Sequence, residues 1–429
     1  MARFFSRWTI PLIFLVSLWI SANLKWGNQW KYTIISDAKG YYAYLPAIFI
    51  YDDLQFSFFD SIENKYYDAH TKFDFRSGYD GKTINKYFCG VAVLQAPFFL
   101  AGHAAALITA AEADGYSKPY VIFVCLGALF YLLVGLSFLR VYLLMHRASG
   151  GQAAFIVALI FFGTNLFYYS LVEPGMSHVY SFALVSMFLV YSKRLLAGNT
   201  KMLVPVALLL GMIFLVRPVN LLIILWLPFE AGGLKTLAKK IAGFFREPVA
   251  MLISLLVFIL PITFQVTIYF EQTGSYFIDA YGKEGFNFSR PELVNFLFSY
   301  KKGLFIYLPL TLVAIFGLIP LWKTDRLRSL YAFLFLIVLI YVLASWWQWY
   351  YGGSFGTRVI VEFLPVFALL LFFLLRALKN TTQKIILVSL LVVLALFCQF
   401  QTYQYRYYLI HWSEMTREKY WDVFLKLPG

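Results

Sequence analysis

The chain of 429 residues is 61% hydrophobic and 20% aromatic, with 36 Lys and Arg against 22 Asp and Glu and a formal net charge of +14. Runs of eighteen or more apolar residues recur from end to end, which excludes a soluble globular domain and predicts a polytopic membrane protein packed helix against helix among membrane lipids. The basic excess lies in short loops between those runs rather than in one stripe, so no nucleic-acid partner is expected, and Cys89, Cys125 and Cys398 have neither metal-type spacing nor the pattern of a disulfide framework.

Arg3 and Arg7 precede an apolar run at 8–24 that ends in no small-x-small cleavage site. Residues 1–24 therefore read as a retained first transmembrane helix with a cytoplasmic N-terminus. Residues 25–118 change character, becoming rich in Tyr, Phe, Asp and Lys, and are expected to form a long external loop. Within it 41–51 and 87–111 are apolar enough to lie on or dip into the membrane, while 54–86 are polar. Treating 87–111 as interfacial or re-entrant, not spanning, keeps every later basic loop on the cytoplasmic side.

Residues 119–403 then read as a transmembrane bundle. Arg140 and Arg147 fall inside, and 153–169 rise to a short loop holding Glu173, Pro174 and His178. The chain descends to Lys193, Arg194 and Lys201, then makes a hairpin over 202–229 around Arg217-Pro218 and returns to Lys235, Lys239, Lys240 and Arg246. Five further apolar runs follow, with an external segment at 271–303, a Trp-rich external loop at 346–358 and an external tail at 404–429. The expected fold is thus all-α and polytopic, with about eleven transmembrane helices of bilayer length and interfacial helices in a long first external loop. No internal repeat of the transporter kind is visible.

On this topology the ionisable residues collect outside. Asp37, in Ser36-Asp37-Ala38-Lys39-Gly40-Tyr41-Tyr42, is either a helix-capping acid or a functional carboxylate, beside tyrosines that suit the headgroup level. Glu173 sits in Glu-Pro-Gly-Met-Ser-His, where Pro174 and Gly175 interrupt the helix. A carboxylate at a helix mouth within hydrocarbon depth needs a partner or a task. The hairpin arms have some 15 residues each, about 22 Å of helix against a core of about 30 Å, so Arg217 should stop below the outer surface. There it pairs either with Glu173 or with an anion such as a lipid phosphate. Lys301 and Lys302, between Ser299 and Gly303, either snorkel or hold a phosphate. Trp346, Trp349 and their neighbours form either an interfacial belt or aromatic walls for a sugar ring, with Gly352, Gly353 and Gly356 allowing close backbone approach before Arg358.

An acid in the first external loop (Asp37), interfacial helices in that loop, a second acid after the third span (Glu173), a Ser-x-Lys-Lys-Gly-Leu-Phe segment at 299–305 and a Trp/Gly/Arg loop occur here in one order and on one side. In this the chain resembles the GT-C superfamily of membrane glycosyltransferases, of the protein O-mannosyltransferase and aminoarabinose transferase type. It departs from the oligosaccharyltransferase branch in having only a tail after 403 and no paired-acid motif at Asp37, since Asp52-Asp53 lie further on. The resemblance implies transfer of a sugar from a polyprenyl-phosphate donor to a glycan, lipid or protein acceptor on the external face of a bacterial inner membrane. It implies Asp37 as the base, with Glu173 or His178 orienting the acceptor. Arg217, Lys301, Lys302 and Arg358 would stabilise the leaving phosphate, and Tyr41, Tyr42, Trp346 and Trp349 would line the substrate. A single displacement of this kind inverts the anomeric centre. It leaves a divalent metal open and names no other cofactor. A carrier that flips lipid-linked sugars without chemistry is the competing reading, since it too needs a cationic, aromatic cavity.

Overall fold

The chain is an all-α polytopic membrane protein; the computed structural model describes residues 2–282 and 284–427, with side chains from Ser6 onward. The Arg3 side chain and the last two residues of the expected tail lie outside this range. Helix α1 (Ala2–Lys25) leads into α2 (Asp37–Pro46), α3 (Phe59–Tyr66) and a two-stranded antiparallel hairpin, β1 (Arg76–Tyr79) with β2 (Lys82–Asn85). Helices α4 (Gly90–Ile108) and α5 (Lys118–Met145) follow, then α6 (Gly150–Phe162), α7 (Leu166–Leu171) and α8 (His178–Leu196). A hairpin is made of α9 (Leu203–Val216), a 3₁₀ segment Pro218–Trp226 and α10 (Leu227–Ala231).

Local chemistry sets the breaks. Pro218 disfavours helical backbone at the residue before it, and Arg217 is accordingly extended at the hairpin tip. At the hairpin's foot Gly232 and Gly233 both take positive φ, and α11 (Leu234–Phe244) leaves at 104° to the segment 218–231. Beyond come α12 (Pro248–Thr273), α13 (Leu293–Phe298), α14 (Leu304–Tyr307), α15 (Pro309–Ile315), α16 (Leu318–Thr324) and α17 (Arg326–Ala344). A 3₁₀ turn Arg358–Phe363 feeds α18 (Leu364–Ala377), followed by α19 (Thr381–Arg406) and α20 (Arg417–Val423). Side-chain caps start four of these helices: Ser149 with Gln152 as a capping box on α6, Asp325 on α17, Asn380 on α19 and Thr416 on α20.

Eight helices among the described residues are long and apolar enough to cross a bilayer, nine if the bent pair 218–231 and 234–244 is one span, and three shorter apolar helices accompany them. The expected count of eleven is not fixed by length and composition alone. Exposed Leu252 and Leu256 on α12 and Ile386 and Leu396 on α19 form the apolar outer surface that lipid requires and water penalises. Helix α4 passes the length test, and its packing is specific. Phe98 and Gly102 meet Gly127 and Tyr120 of α5, and Tyr131 of α5 donates to Leu94 O, so α4 runs antiparallel along the half of α5 that starts at Lys118. The other half, ending at His146, lies beside Glu230.

The bundle therefore has two polar levels. At one, Glu230 gathers Lys193 at 2.8 Å, His146 at 3.2 Å and the indole of Trp226, fastening the hairpin foot to α5 and α8. At the other lie Asp37, Glu173, His178 and the hairpin tip. Single cysteines at Ser61 and Ser275, placed in segments joined through the Gln55 and Gln272 contact, should label from one face of sealed vesicles. Cysteines at Thr236 and Thr324 should label from the opposite face, because α17 joins their helices: Leu234 N of α11 donates to the Tyr331 hydroxyl, and Ser329 Oγ donates to Leu318 O of α16. The native cysteines are all buried and give little background. Labelling of Ser61 and Thr236 from the same face would contradict this arrangement.

Candidate functional site

Asp37 is the first residue of α2, and Ser36 before it is held at φ 51, a left-side conformation that a non-glycine residue adopts at a cost of about 1–3 kcal/mol. That turn aims the carboxylate inward. Its Oδ2 meets Arg358 Nη2 at 2.7 Å, and its Oδ1 accepts from the Tyr87 hydroxyl at 2.8 Å. Both ion-pair partners are largely buried, 18% and 13% exposed. Burial opposes ionisation of Asp37, but the Arg358 charge and the two hydrogen bonds outweigh it and hold the carboxyl below its ordinary range. Gly40 makes the arrangement possible, since a Cβ there would stand 2.2 Å from the Tyr87 ring. Gly175 does the same from the other side, where a Cβ would lie 2.8 Å from that of Ala38.

Arg358 opens the 3₁₀ turn, and Glu362 follows four residues later. In an α-helix residues four apart share a face, whereas three residues per turn place them about 120° apart. Arg358 accordingly reaches Asp37, while fully buried Glu362 faces another way. Glu362 Oε1 lies 3.0 Å from His178 Nδ1 and 3.3 Å from Arg217 Nη1. Arg217 thus pairs with Glu362, not with Glu173. His178 packs its ring on Tyr169, with centroids 4.6 Å apart. Glu362 Oε2 and Arg358 Nε are buried with no protein hydrogen-bond partner, which leaves the cluster one unused acceptor and one unused donor.

Glu173 makes no ion pair among the described residues and accepts from the Tyr168 hydroxyl at 2.9 Å. Burial raises its pKa above the usual carboxylate range, against the pull of Arg358 and Lys25. Tyr41 is buried against Tyr87, its ring centroid 4.8 Å away, and its hydroxyl lies within electrostatic reach of Arg217, Asp37 and Arg358. Tyr42 turns elsewhere and donates to Gly115 O at 2.5 Å, a bond internal to the loop 25–118.

The two adjacent lysines separate. Lys302 is buried, donates to the Ser354 carbonyl and stands 5.0 Å from the Tyr405 ring, and burial pulls its pKa down to about 7. It anchors the glycine-containing loop that delivers Arg358, aided by Thr357 Oγ1 donating to Lys302 O at 2.7 Å. Lys301 stays nearer the surface over Tyr350, 3.5 Å from the ring centroid. Trp346 bridges to Phe286 and Trp349 packs on Tyr350, so both belong to the rim and neither touches Asp37. Among the described residues no group of three His, Cys, Asp or Glu side chains is arranged to hold a metal ion.

Sequence reasoning placed Asp37, Arg217, His178 and Arg358 in one region and missed Glu362 and Tyr87. Glu362 was legible as an ionisable residue inside an apolar span, four residues after Arg358.

No family model matches the chain, and no curated protein matches it. Among solved structures it is similar to the oligosaccharyltransferase of Archaeoglobus fulgidus, crystallised with zinc and sulfate, at 14% identity and a TM-score of 0.43. The match covers 96% of this chain and 54% of that chain, so this chain spans about half its length.

Losing one partner of a largely buried ion pair strands the other charge, at a cost of about 3 kcal/mol. Arg358→Gln should be less stable than the parent by about that amount at pH 7. Asp37 has a depressed folded-state pKa, so the pair's contribution is complete above the ordinary carboxylate range and is lost as the pH falls through the depressed value. In Arg358→Gln burial is no longer outweighed and raises the Asp37 pKa, so thermal unfolding should show the full deficit in the alkaline range and a smaller one as the pH falls and the stranded carboxyl takes up a proton. A deficit that did not change between alkaline and acid pH would mean that Asp37 is not held ionised by Arg358.

Proposed function

We propose that the protein transfers a sugar from a polyprenyl-phosphate-linked donor to an acceptor glycan, lipid or protein at the external face of a bacterial inner membrane. The observation that carries this reading is the Asp37 carboxylate, kept ionised at a buried mouth of the bundle by an arginine that a phosphate can claim. Arg217, the unused Arg358 Nε and Lys301 at the rim supply further donors for an anion.

In the reaction proposed, the acceptor hydroxyl or amine attacks the anomeric carbon and the carbon–oxygen bond to phosphate breaks. The bonding pair leaves with the polyprenyl phosphate, and the acceptor proton passes to Asp37. The phosphate is already a competent leaving group, so cationic stabilisation of its developing charge serves better than a general acid. Arg358 is the group that changes partner. As it turns toward the phosphate it releases Asp37, with Tyr87 still holding one carboxylate oxygen, and the freed carboxylate takes up the acceptor proton. Glu362 keeps Arg217 and His178 in place throughout, as a positioning residue. Glu173, held by the Tyr168 hydroxyl, orients the acceptor. One displacement with one base inverts the anomeric centre.

Asp37→Asn keeps size and most hydrogen bonding but removes the base, so transfer should fall by about 10² to 10⁴. Donor binding should survive or tighten, because Arg358 no longer has a competing anion. Arg217→Ala and Arg358→Ala should lose donor binding, with Lys restoring it only in part because the planar fork is gone. The assay is sugar transfer from a purified lipid-linked donor in nanodiscs, with donor binding measured on the same protein. Near-parent transfer by Asp37→Asn rules out Asp37 as the base, and a carrier without chemistry would tolerate that amide.

A further inference from the structure

A second site is built at the foot of the hairpin, at the level opposite Asp37. Helix α11 is amphipathic: Leu234, Leu237, Ala238 and Ile241 recur at i, i+3, i+4 and i+7, and Lys235, Lys239 and Lys240 occupy the other face. Leu237 is buried in a small cluster with Leu196 and Ala231, and Lys240 donates to the Leu196 carbonyl, so one flank is docked on the bundle. The rest of the apolar side is not covered. Leu234 is 56% exposed, Ile241 44% and Phe245 67%.

The 104° turn between 218–231 and α11 lays this helix across the bundle, in the plane a membrane surface would take. Beneath it lies an apolar groove of about 280 Å³, bounded by Leu203, Ala207 and Leu210 of α9, Phe244 of α11, and Met251 and Leu255 of α12. Lys201, Lys239 and Arg246 stand exposed around the same elements and make no ion pair or hydrogen bond from their side chains to another described residue; Glu247 is the one carboxylate on that stretch. The slot itself is lined almost wholly by apolar residues, and the unpaired cations stand on the segments that adjoin it, Lys201 just before α9, Lys239 on the polar face of α11 and Arg246 between α11 and α12, a combination that matches one kind of occupant.

We propose that this groove binds an anionic phospholipid of the surrounding bilayer, its acyl chain along α9 and α12 and its phosphate at Lys201, Lys239 and Arg246. The site is separate from the Asp37 cluster, because the fourteen residues of α9 carry the chain about 21 Å from Leu203 to Arg217. It does not depend on the reaction proposed above.

Native mass spectrometry of the detergent-purified protein, titrated with phosphatidylglycerol and with phosphatidylcholine of matched chains, tests it without an activity readout. The parent should retain phosphatidylglycerol about tenfold more strongly or better, since each basic residue near an anionic headgroup contributes severalfold. Lys201→Gln/Lys239→Gln/Arg246→Gln should bind both lipids alike. Ala207→Phe, which fills the groove and leaves the charges, should lose binding of both. Melting temperatures near the parent's would show that the variants fold. Equal affinity of the parent for the two lipids overturns the proposal, as does an undiminished phosphatidylglycerol preference in the triple variant. Full lipid retention by Ala207→Phe overturns the placement of the chain in the groove.

Discussion

The ion pair between Asp37 and Arg358 fixes the geometry on which the rest of the site depends. It joins the first segment outside the bundle to the turn that starts a late span, so two stretches from opposite ends of the sequence must meet within 2.7 Å. Each charge alone would be expensive at that depth. Together they are tolerated, and the contacts around them are shaped to keep them together: Tyr87 on the second carboxylate oxygen, Gly40 making room for its ring, and Gly175 letting the Glu173 loop close over α2. The strained backbone at Ser36 is sustained by this closure and does not arise from its own local sequence.

The second pair, Arg217 with Glu362, works on the same terms and is kept apart by secondary structure. A 3₁₀ turn, not an α-turn, carries Arg358 and Glu362, so the two do not neutralise each other along one helix face. Each instead reaches a different part of the chain. The result interleaves two arginines with two carboxylates, which is how like charges can share a buried mouth. Proline at 218 completes the design by stopping α9 where Arg217 meets Glu362 and His178.

Much of this was legible in the sequence because membrane depth makes ionisable residues conspicuous. Glu173 and Arg217 were picked out by that rule, Asp37, His178 and Arg358 by their place in the segments expected outside, and the short hairpin arms predicted that Arg217 would stop within the bundle. Glu362 was overlooked because it stands in the apolar run 359–375, where it reads as an incidental residue of a span. The same rule, applied inside the run, would have found it. The partner of Arg217 could not be read, since Glu173 is much the nearer carboxylate in sequence and only the packing of the 3₁₀ turn brings Glu362 to it. Nor could the sequence separate Lys301 from Lys302. Adjacent residues in the turn before Gly303 point in different directions, and only the packing against Ser354 and Tyr405 decides which one is buried. Spacing also failed to distinguish Tyr41 from Tyr42, which α2 sends to different neighbours, Tyr87 and Gly115.

The charge balance of the cluster bears on what it can accept. Asp37 and Glu362 offset Arg358 and Arg217, so the four groups are neutral together, and a phosphate of the kind proposed as donor would add negative charge to them. Two neighbours can absorb it by holding protons. Glu173 is already pushed by burial toward its uncharged form, and Lys302, pulled to about 7, sits where a nearby anion would raise it and favour the ammonium. Both lie within electrostatic reach of Arg358 and of each other. Burial is the main cause of the lowered Lys302 pKa, so the shift is what the chain bears for using a lysine as the anchor of the Arg358 loop, and the same burial biases Glu173 toward its neutral form.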